Sequence, residues 1–431
     1  MIDLDKIKKV HFIGIGGIGV SAIARMLSLE GKEVTGSDAS FSPVTEELNN
    51  IGIVVKKGHD SKNVDESTEL VVRTIAVPDE NPEVVEAKKL SIPVISYPEM
   101  LGIVSKDKYT IAISGTHGKT TTTAMVAKIL KDNGMDPTVI VGSMLKEERS
   151  NFIAGKGPYL VVEACEYRRS FLNINPRIVV ITNIDEDHLD YYKDIKDIQS
   201  AFRDFADKPK KEDYVIADVL GFNVRPVISD VAAKLVDYSC YKEMSFELGV
   251  PGAHNKSNAA AAIAVAHVLG IPPRKAAESL KDFKGTWRRF EYKGETSGGV
   301  KVYDDYAHHP TEIKATLAAA RQMYPAGKIV VAFQPHLFSR TKDHLHEFAS
   351  AFSQVDKVLL APIYAAREVD DGTISSQILK EVMGEHSSDV HVFNSLEELK
   401  AYAEETLQKG DVFMTMGAGN IYEIGEQIIK A

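Results

Sequence analysis

A lysine and four threonines follow a glycine turn at Ser114-Gly115-Thr116-His117-Gly118-Lys119-Thr120-Thr121-Thr122-Thr123. The apolar and β-branched run Tyr109–Ile113 enters this turn. Thr120–Lys131 leaves it with Met125, Val126, Ile129 and Leu130 at helical spacing, as core positions. Strand, glycine turn, Lys-Thr and helix together form a polyphosphate cradle. Backbone N–H groups and the positive helix end face the phosphates, the lysine neutralises charge, and the threonine hydroxyl reaches a metal. The spacing is compressed: Gly115 lies three residues before Gly118, and position 113, where a P-loop has its first glycine, is Ile. A glycine-rich β–α turn without a ligand is the alternative; the Gly-Lys-Thr core favours phosphate.

A second glycine turn, Gly14-Ile15-Gly16-Gly17-Ile18-Gly19, follows the strand Val10–Ile13 and opens a helix, and Asp38 lies 19 residues beyond Gly19, after another strand. This is the dinucleotide-fingerprint setting, and it admits a nicotinamide oxidoreductase. The physics asks only for a diphosphate against a helix N-terminus, so other nucleotide diphosphates suit it equally. Two cradles in one chain, one of them with Lys and Thr, point to two nucleotides, one held as a handle and one consumed.

Glu163 ends the apolar strand Tyr159–Val162, at the carboxyl edge where α/β sheets bind ligands. His188 follows the strand Arg177–Ile181 within Thr182–Asp190. A carboxylate beside a phosphate cradle points to Mg²⁺, which takes oxygen ligands and bridges phosphates. Plainer readings are a helix cap for Glu163 and a loop histidine for His188; Cys165 and Glu166 share the first loop without an assigned role. Asp304–Thr311 and Phe333–Thr341 are further polar clusters at strand-to-helix transitions. Within them Arg340 suits a carboxylate or phosphate, or is an ordinary solvated arginine. Gly417–Asn420, after the last strand, is a close backbone approach to a ligand or only a tight turn.

The elements that must position these residues alternate from end to end. Strands are expected at Glu33–Thr35, Ile53–Val55, Leu70–Val72 and Pro93–Ile95, then at Tyr214–Ala217, Val300–Tyr303, Lys328–Phe333, Lys357–Ala361, Val390–Phe393 and Val412–Met416. Helices are expected between them, including Ser21–Glu30 and the alanine-rich Asn258–Gly270. The class is α/β with largely parallel sheets, in blocks 1–105, 106–292 and 293–431. The chain of 431 residues is long enough for several cores, and its 44% apolar and 26% charged content is that of a globular protein. The net charge of −10 argues against nucleic acid. Two cysteines make no disulfide framework. With no long apolar run and no signal peptide at Met1–Lys6, a cytoplasmic address and no membrane insertion are expected.

In this order, Gly14–Gly19, Ser114–Thr123, Thr182–Asp190, Gly252–Asn258, Trp287–Glu291, Asp304–Pro310, Phe333–Arg340 and Gly417–Asn420 resemble the ATP-dependent Mur ligases of peptidoglycan synthesis, over nearly the whole chain. The resemblance implies a Rossmann-like N-terminal domain, a central P-loop mononucleotide-binding domain and a Rossmann-like C-terminal domain. It implies ATP-dependent attachment of L-alanine to the carboxylate of UDP-N-acetylmuramic acid through an acyl phosphate, by a monomer or homodimer. Gly14, Gly16, Gly17, Ile18, Gly19 and Asp38 would hold the UDP-sugar. Gly115, Thr116, His117, Gly118, Lys119, Thr120, Thr121, Asn255, Asn258 and Arg288 would hold ATP. Thr120 and Glu163 would bind one Mg²⁺ and His188 a second, while His308 and Arg340 would serve the incoming amino acid. A ligase that recycles a tripeptide onto the same sugar is the nearest alternative. A nicotinamide oxidoreductase leaves Lys119, Glu163 and His188 without a purpose, and a non-catalytic regulator leaves the complete set unexplained. Two features depart from the family: Glu163-Ala164-Cys165-Glu166-Tyr167-Arg168-Arg169-Ser170 replaces an acidic, serine-rich stretch, and the segment between His188 and Gly252 is short.

Overall fold

The computed structural model of the chain describes residues 2–148, 150–366, 368–384 and 389–430. Its strands form three sheets. The first contains β1 (Lys9–Ile13), β2 (Glu33–Asp38), β3 (Val54–Lys57), β4 (Leu70–Arg73) and β5 (Val94–Ser96). The second contains β6 (Tyr109–Ser114), β7 (Thr138–Leu145), β8 (Ser150–Ile153), β9 (Tyr159–Glu163), β10 (Ile178–Ile181), β11 (Tyr214–Ala217) and β12 (Lys234–Asp237). The third contains β13 (Glu291–Glu295), β14 (Lys301–Asp305), β15 (Ile329–Phe333), β16 (Lys357–Leu360), β17 (Val390–Val392) and β18 (Val412–Met416). Contacts divide the chain into two compact units: 1–186, 193–247 and 258–283 carry the first two sheets, and 187–192, 248–257 and 284–431 carry the third.

The first sheet has the order β3-β2-β1-β4-β5, with parallel pairings throughout. Winding reverses between β2 and β4, so the loop after β1 opens at a topological switch point, where an open α/β sheet leaves a crevice. A buried polar cluster braces this point. Glu83 accepts from the Ser37 hydroxyl at 2.6 Å and lies 3.2 Å from the His59 ring, while the Ser37 carbonyl accepts from the N–H groups of Gly14 and Ile15 at 2.8 and 3.0 Å.

The second sheet runs β12-β11-β10-β6-β9-β7-β8, with β6 between β10 and β9. Ser114 pairs with Ile181 on one side and Ile113 with Glu163 on the other, so three strand ends share one edge. Residues of β10 are buried throughout, the pattern of a strand covered on both faces. The third sheet runs β13-β14-β18-β15-β16-β17, and Met416 pairs with both Asp305 and Phe333. The loops after β14, β18 and β15 therefore leave the sheet side by side.

Four strands go beyond the sequence expectation. β7 and β8 form an antiparallel hairpin, which interrupts the strand–helix alternation on which the reading relied. β12 is a half-exposed edge, and β13 is a charged antiparallel edge strand with a register shift between Tyr292 and Gly294. Neither has the apolar run that marks a central strand. The alanine-rich helix starts at Ala253 rather than Asn258, because its polar first turn follows Gly252, whose φ of +99° ends the preceding loop.

Candidate active site

In the first two-sheet unit, the turn after β6 is built by backbone demands. Gly115 has φ +130° and Gly118 φ +82°, conformations that side chains rarely adopt. A Cβ at Gly115 would collide with the Thr182 hydroxyl, and one at Gly118 with the Asn258 side chain, so neighbours as well as φ require glycine. The loop after β10 fixes the turn from the side: Thr116 N–H donates to the Asn183 carbonyl at 3.0 Å, and His117 N–H to Asn183 Oδ1 at 2.9 Å. His117 also faces Asp185 at 3.5 Å. The helix Lys119–Asp132 begins directly after Gly118, which points its N-terminus, with Lys119, Thr120 and Thr121, at the edge of the sheet.

Lys119 Nζ donates to the carbonyls of Gly115 at 2.7 Å and Thr116 at 2.9 Å, and to Glu166 at 3.0 Å. Burial alone would depress its pKa, but the Glu166 charge outweighs this and holds the ammonium above its ordinary range, so it stays charged. Thr120 Oγ1 donates to Glu163 Oε2 at 3.0 Å, and the same oxygen accepts from Gly142 N–H at 2.8 Å. A hydroxyl and a carboxylate this close, on a helix N-terminus and a strand end, are hard oxygen donors of the kind Mg²⁺ takes.

The turn after β1 is equally close-packed. Gly14 has φ +75°, and Gly16 N–H donates to Asp38 Oδ2 at 2.9 Å, so Asp38 braces the turn itself. Gly17 caps the helix Ile18–Leu29, and the Ile18 carbonyl accepts from Asn151 on β8. Gly19 answers to a side chain: an added Cβ would stand 2.5 Å from Tyr97 Cζ. Burial, and then the nearby Glu163 charge, raise the Tyr97 phenol above its ordinary pKa, which keeps it protonated beside this turn. Gly19→Ala is expected to cost about 1–3 kcal/mol through this overlap. In a Tyr97→Ala background the same substitution should cost much less in denaturant unfolding; additive losses would remove Tyr97 as the cause.

The second unit gathers a different set. His188 has φ +56°, a left-handed conformation that turns the chain after Asp187. Its carbonyl accepts from the N–H groups of Tyr191 and Tyr192, each at 2.9 Å. Arg340 Nη2 donates to Asp187 Oδ1 at 2.8 Å, and Nη1 lies 3.2 Å from His336 Nδ1. Leu337, buried with φ +71°, sets the start of the short helix that carries Arg340. Burial would raise Asp187, but His188, Arg340 and His308 together hold its carboxyl well below the carboxylate range. Burial, against the pull of Glu312, pushes His308 down to about 3, so its ring is neutral at physiological pH. His188, Arg340, Asp343 and His344 line a small cleft.

Arg288 commits all three of its guanidinium nitrogens within this unit. Its Nε donates to Asp304 at 2.7 Å, Nη1 to the Gly419 carbonyl at 3.0 Å and Nη2 to the Gly417 carbonyl at 2.6 Å. The Tyr422 and Tyr306 rings lie 4.5 and 5.1 Å from its guanidinium. Gln334 completes the clamp, since the Ile421 N–H donates to its side chain at 3.2 Å. Arg288 thus fixes the Gly417–Asn420 turn. Asn255 donates to the Pro251 carbonyl at 2.7 Å in the same unit, whereas Asn258 lies against Gly118 in the first.

Sequence reasoning left out Glu166, Asp187, His336 and Tyr97. Glu166 was legible only as a second carboxylate three residues after Glu163. Asp187 was one of several acids before His188, and nothing in its spacing singled it out.

Family models match three stretches of the chain: "Mur ligase family, catalytic domain" at 9–109, "Mur ligase middle domain" at 113–221, and "Mur ligase, glutamate ligase domain" at 288–419. The chain is 44% identical over 450 residues to the UDP-N-acetylmuramate–L-alanine ligase of Clostridium acetobutylicum, covering 98% of each. It resembles the crystal structure of the UDP-N-acetylmuramate–alanine ligase from Thermotoga maritima with a TM-score of 0.82 and 29% identity over 98% of both chains. A murein peptide ligase from Psychrobacter arcticus, at 23% identity and TM-score 0.72 over 98% of both, shares the fold.

Proposed function

Because the chain belongs to the Mur ligase family, we infer that it joins L-alanine to the carboxylate of UDP-N-acetylmuramic acid at the expense of ATP, in peptidoglycan precursor synthesis. What carries the reading is the gathering of Lys119, Thr120 and Glu163 at one sheet edge, in a chain related end to end to an L-alanine ligase. A carboxylate is a poor electrophile. Its oxygen attacks the γ-phosphorus of ATP, the bond to the bridging oxygen breaks, and ADP leaves an acyl phosphate. The amine of L-alanine then attacks the carbonyl carbon; the C–O bond to phosphate breaks, and the amine proton passes to a base.

Each group has a task in this scheme. Lys119 neutralises the phosphates, with Gly115, Thr116, His117, Gly118, Thr120 and Thr121 shaping the cradle. Thr120 and Glu163 would hold one Mg²⁺ and His188 a second, which would supply shielding of the phosphate charge. The turn Gly14–Gly19, braced by Asp38, holds the diphosphate of the UDP-sugar. Asn255 and Asn258 serve the nucleotide, and Arg288 serves it by fixing the Gly417–Asn420 turn. His308, beside the Arg340–Asp187 pair, receives the amino acid together with Arg340. The blocks 1–105, 106–292 and 293–431 divide these tasks as UDP-sugar, ATP and amino-acid domains. Among the described residues no helix is long and apolar enough to cross a membrane. A cytoplasmic address belongs to the proposal because the reaction spends ATP.

The test is phosphate release from ATP in the presence of UDP-N-acetylmuramic acid, with L-alanine, glycine, L-serine and tripeptide offered in turn. Release is expected to be fastest with L-alanine. Release with tripeptide alone would move the reading to the recycling ligase, and none with any acceptor would sink it.

A further inference from the structure

Glu166 lies outside the family's metal and phosphate roles assigned above, yet it is 2% exposed and reaches Lys119 Nζ with both oxygens, at 3.0 and 2.9 Å. An ammonium has three N–H donors. Those of Lys119 point at Gly115, Thr116 and Glu166, so a phosphate oxygen that takes this ammonium displaces one of the three. The two carbonyls belong to a turn pinned by Asn183. Glu166 is the anion of the set, and a phosphate brought to the same nitrogen repels it. The backbone under Glu166 is held on its own account. Arg168 and Arg169 are left-handed, at φ +51° and +55°, and Arg169 N–H donates to the Glu166 carbonyl at 2.8 Å. The Arg169 guanidinium spans Asp197 at 2.8 Å and Asp204 at 2.9 Å. The replaced stretch Cys165–Ser170 therefore builds a seat for one carboxylate.

We propose that Glu166 is a positioning residue that competes with the terminal phosphate of ATP for Lys119: the carboxylate aims the ammonium into the turn and yields it only to a strongly charged polyphosphate. This rests on the reading of Lys119 as the ATP lysine. It gives the cradle a threshold against weaker anions, because any ligand must outbid a charge-assisted bond already in place.

The experiment is calorimetric titration of the full chain with a non-hydrolysable ATP analogue and Mg²⁺. Glu166→Gln is expected to bind the analogue about tenfold tighter, the equivalent of losing one charge-assisted competitor. Glu166→Asp, which keeps the charge, should stay within about threefold of the wild type, and unfolding midpoints of both variants report whether they are folded. In a Lys119→Ala background the Gln substitution should change affinity less than about twofold. Unchanged or weaker binding by Glu166→Gln overturns the proposal. So does a full gain that survives without Lys119, since Glu166 would then act on the phosphate directly. A wild-type chain that does not bind the analogue at all would strike the ATP assignment instead.

Discussion

Lys119→Ala is expected to lower phosphate release by about a thousandfold or more, because it removes the ammonium held in the turn after β6. The loss has a structural component that must be separated. Without the ammonium, the 2%-exposed Glu166 loses the cation that both of its oxygens reach, and removing one member of a buried ion pair costs about 3–5 kcal/mol. The double variant Lys119→Ala with Glu166→Gln removes the other member of the pair. It should regain most of the stability in thermal unfolding while turnover stays at the level of the single variant. Turnover of the single variant above about a tenth of wild type would mean the cradle has been misassigned, whatever the stability data show.

For Arg288→Ala the large effect is on stability. Asp304, fully buried, loses its ion pair, and the Gly417 and Gly419 carbonyls lose their donors. Burial already raises Asp304 against the opposing pull of Arg288, so removing the arginine leaves burial to drive the carboxyl further toward its neutral form. The expected cost is about 3–5 kcal/mol, read from denaturant unfolding of the full chain. Arg288→Lys keeps the charge but not the planar fork that serves Asp304 and two carbonyls at once, so it should recover less than half. Adding Asp304→Asn to Arg288→Ala should return part of the loss by removing the stranded charge. A shift within about 0.5 kcal/mol, the range of ordinary surface substitutions, would show that the turn is held without Arg288.

Much of this was legible before any coordinates. Both glycine turns could be found because strand, turn and helix are contiguous and each leaves its own periodicity. Gly14, Gly115 and Gly118 do take positive φ. The pairing of Thr120 with Glu163 could be guessed from a strand-end carboxylate beside a Lys-Thr turn. Other assignments depended on neighbours that spacing does not announce. Gly19 reads as a fingerprint glycine, and it is Tyr97 that leaves no room there. Asp38 reads as part of a dinucleotide fingerprint, and in the fold it takes the Gly16 N–H. The β7–β8 hairpin was missed although Val139–Val141 is a buried apolar run, because an antiparallel hairpin breaks the strand–helix alternation; the polar edge β13 was missed because a pairing partner rather than an apolar run holds it.

The sequence by itself determined the α/β class, the two glycine-rich β–α turns and the family, since these rest on short-range backbone demands and on residue order. Which charges face one another was decided by the tertiary structure alone. Lys119 meets Glu166 across 47 residues, Arg340 meets Asp187 across 153, and Arg288 meets the Gly417 carbonyl across 129. A charged side chain leaves no periodic trace of its partner. Only burial, which makes an unpaired charge costly, forces each of these groups to have one.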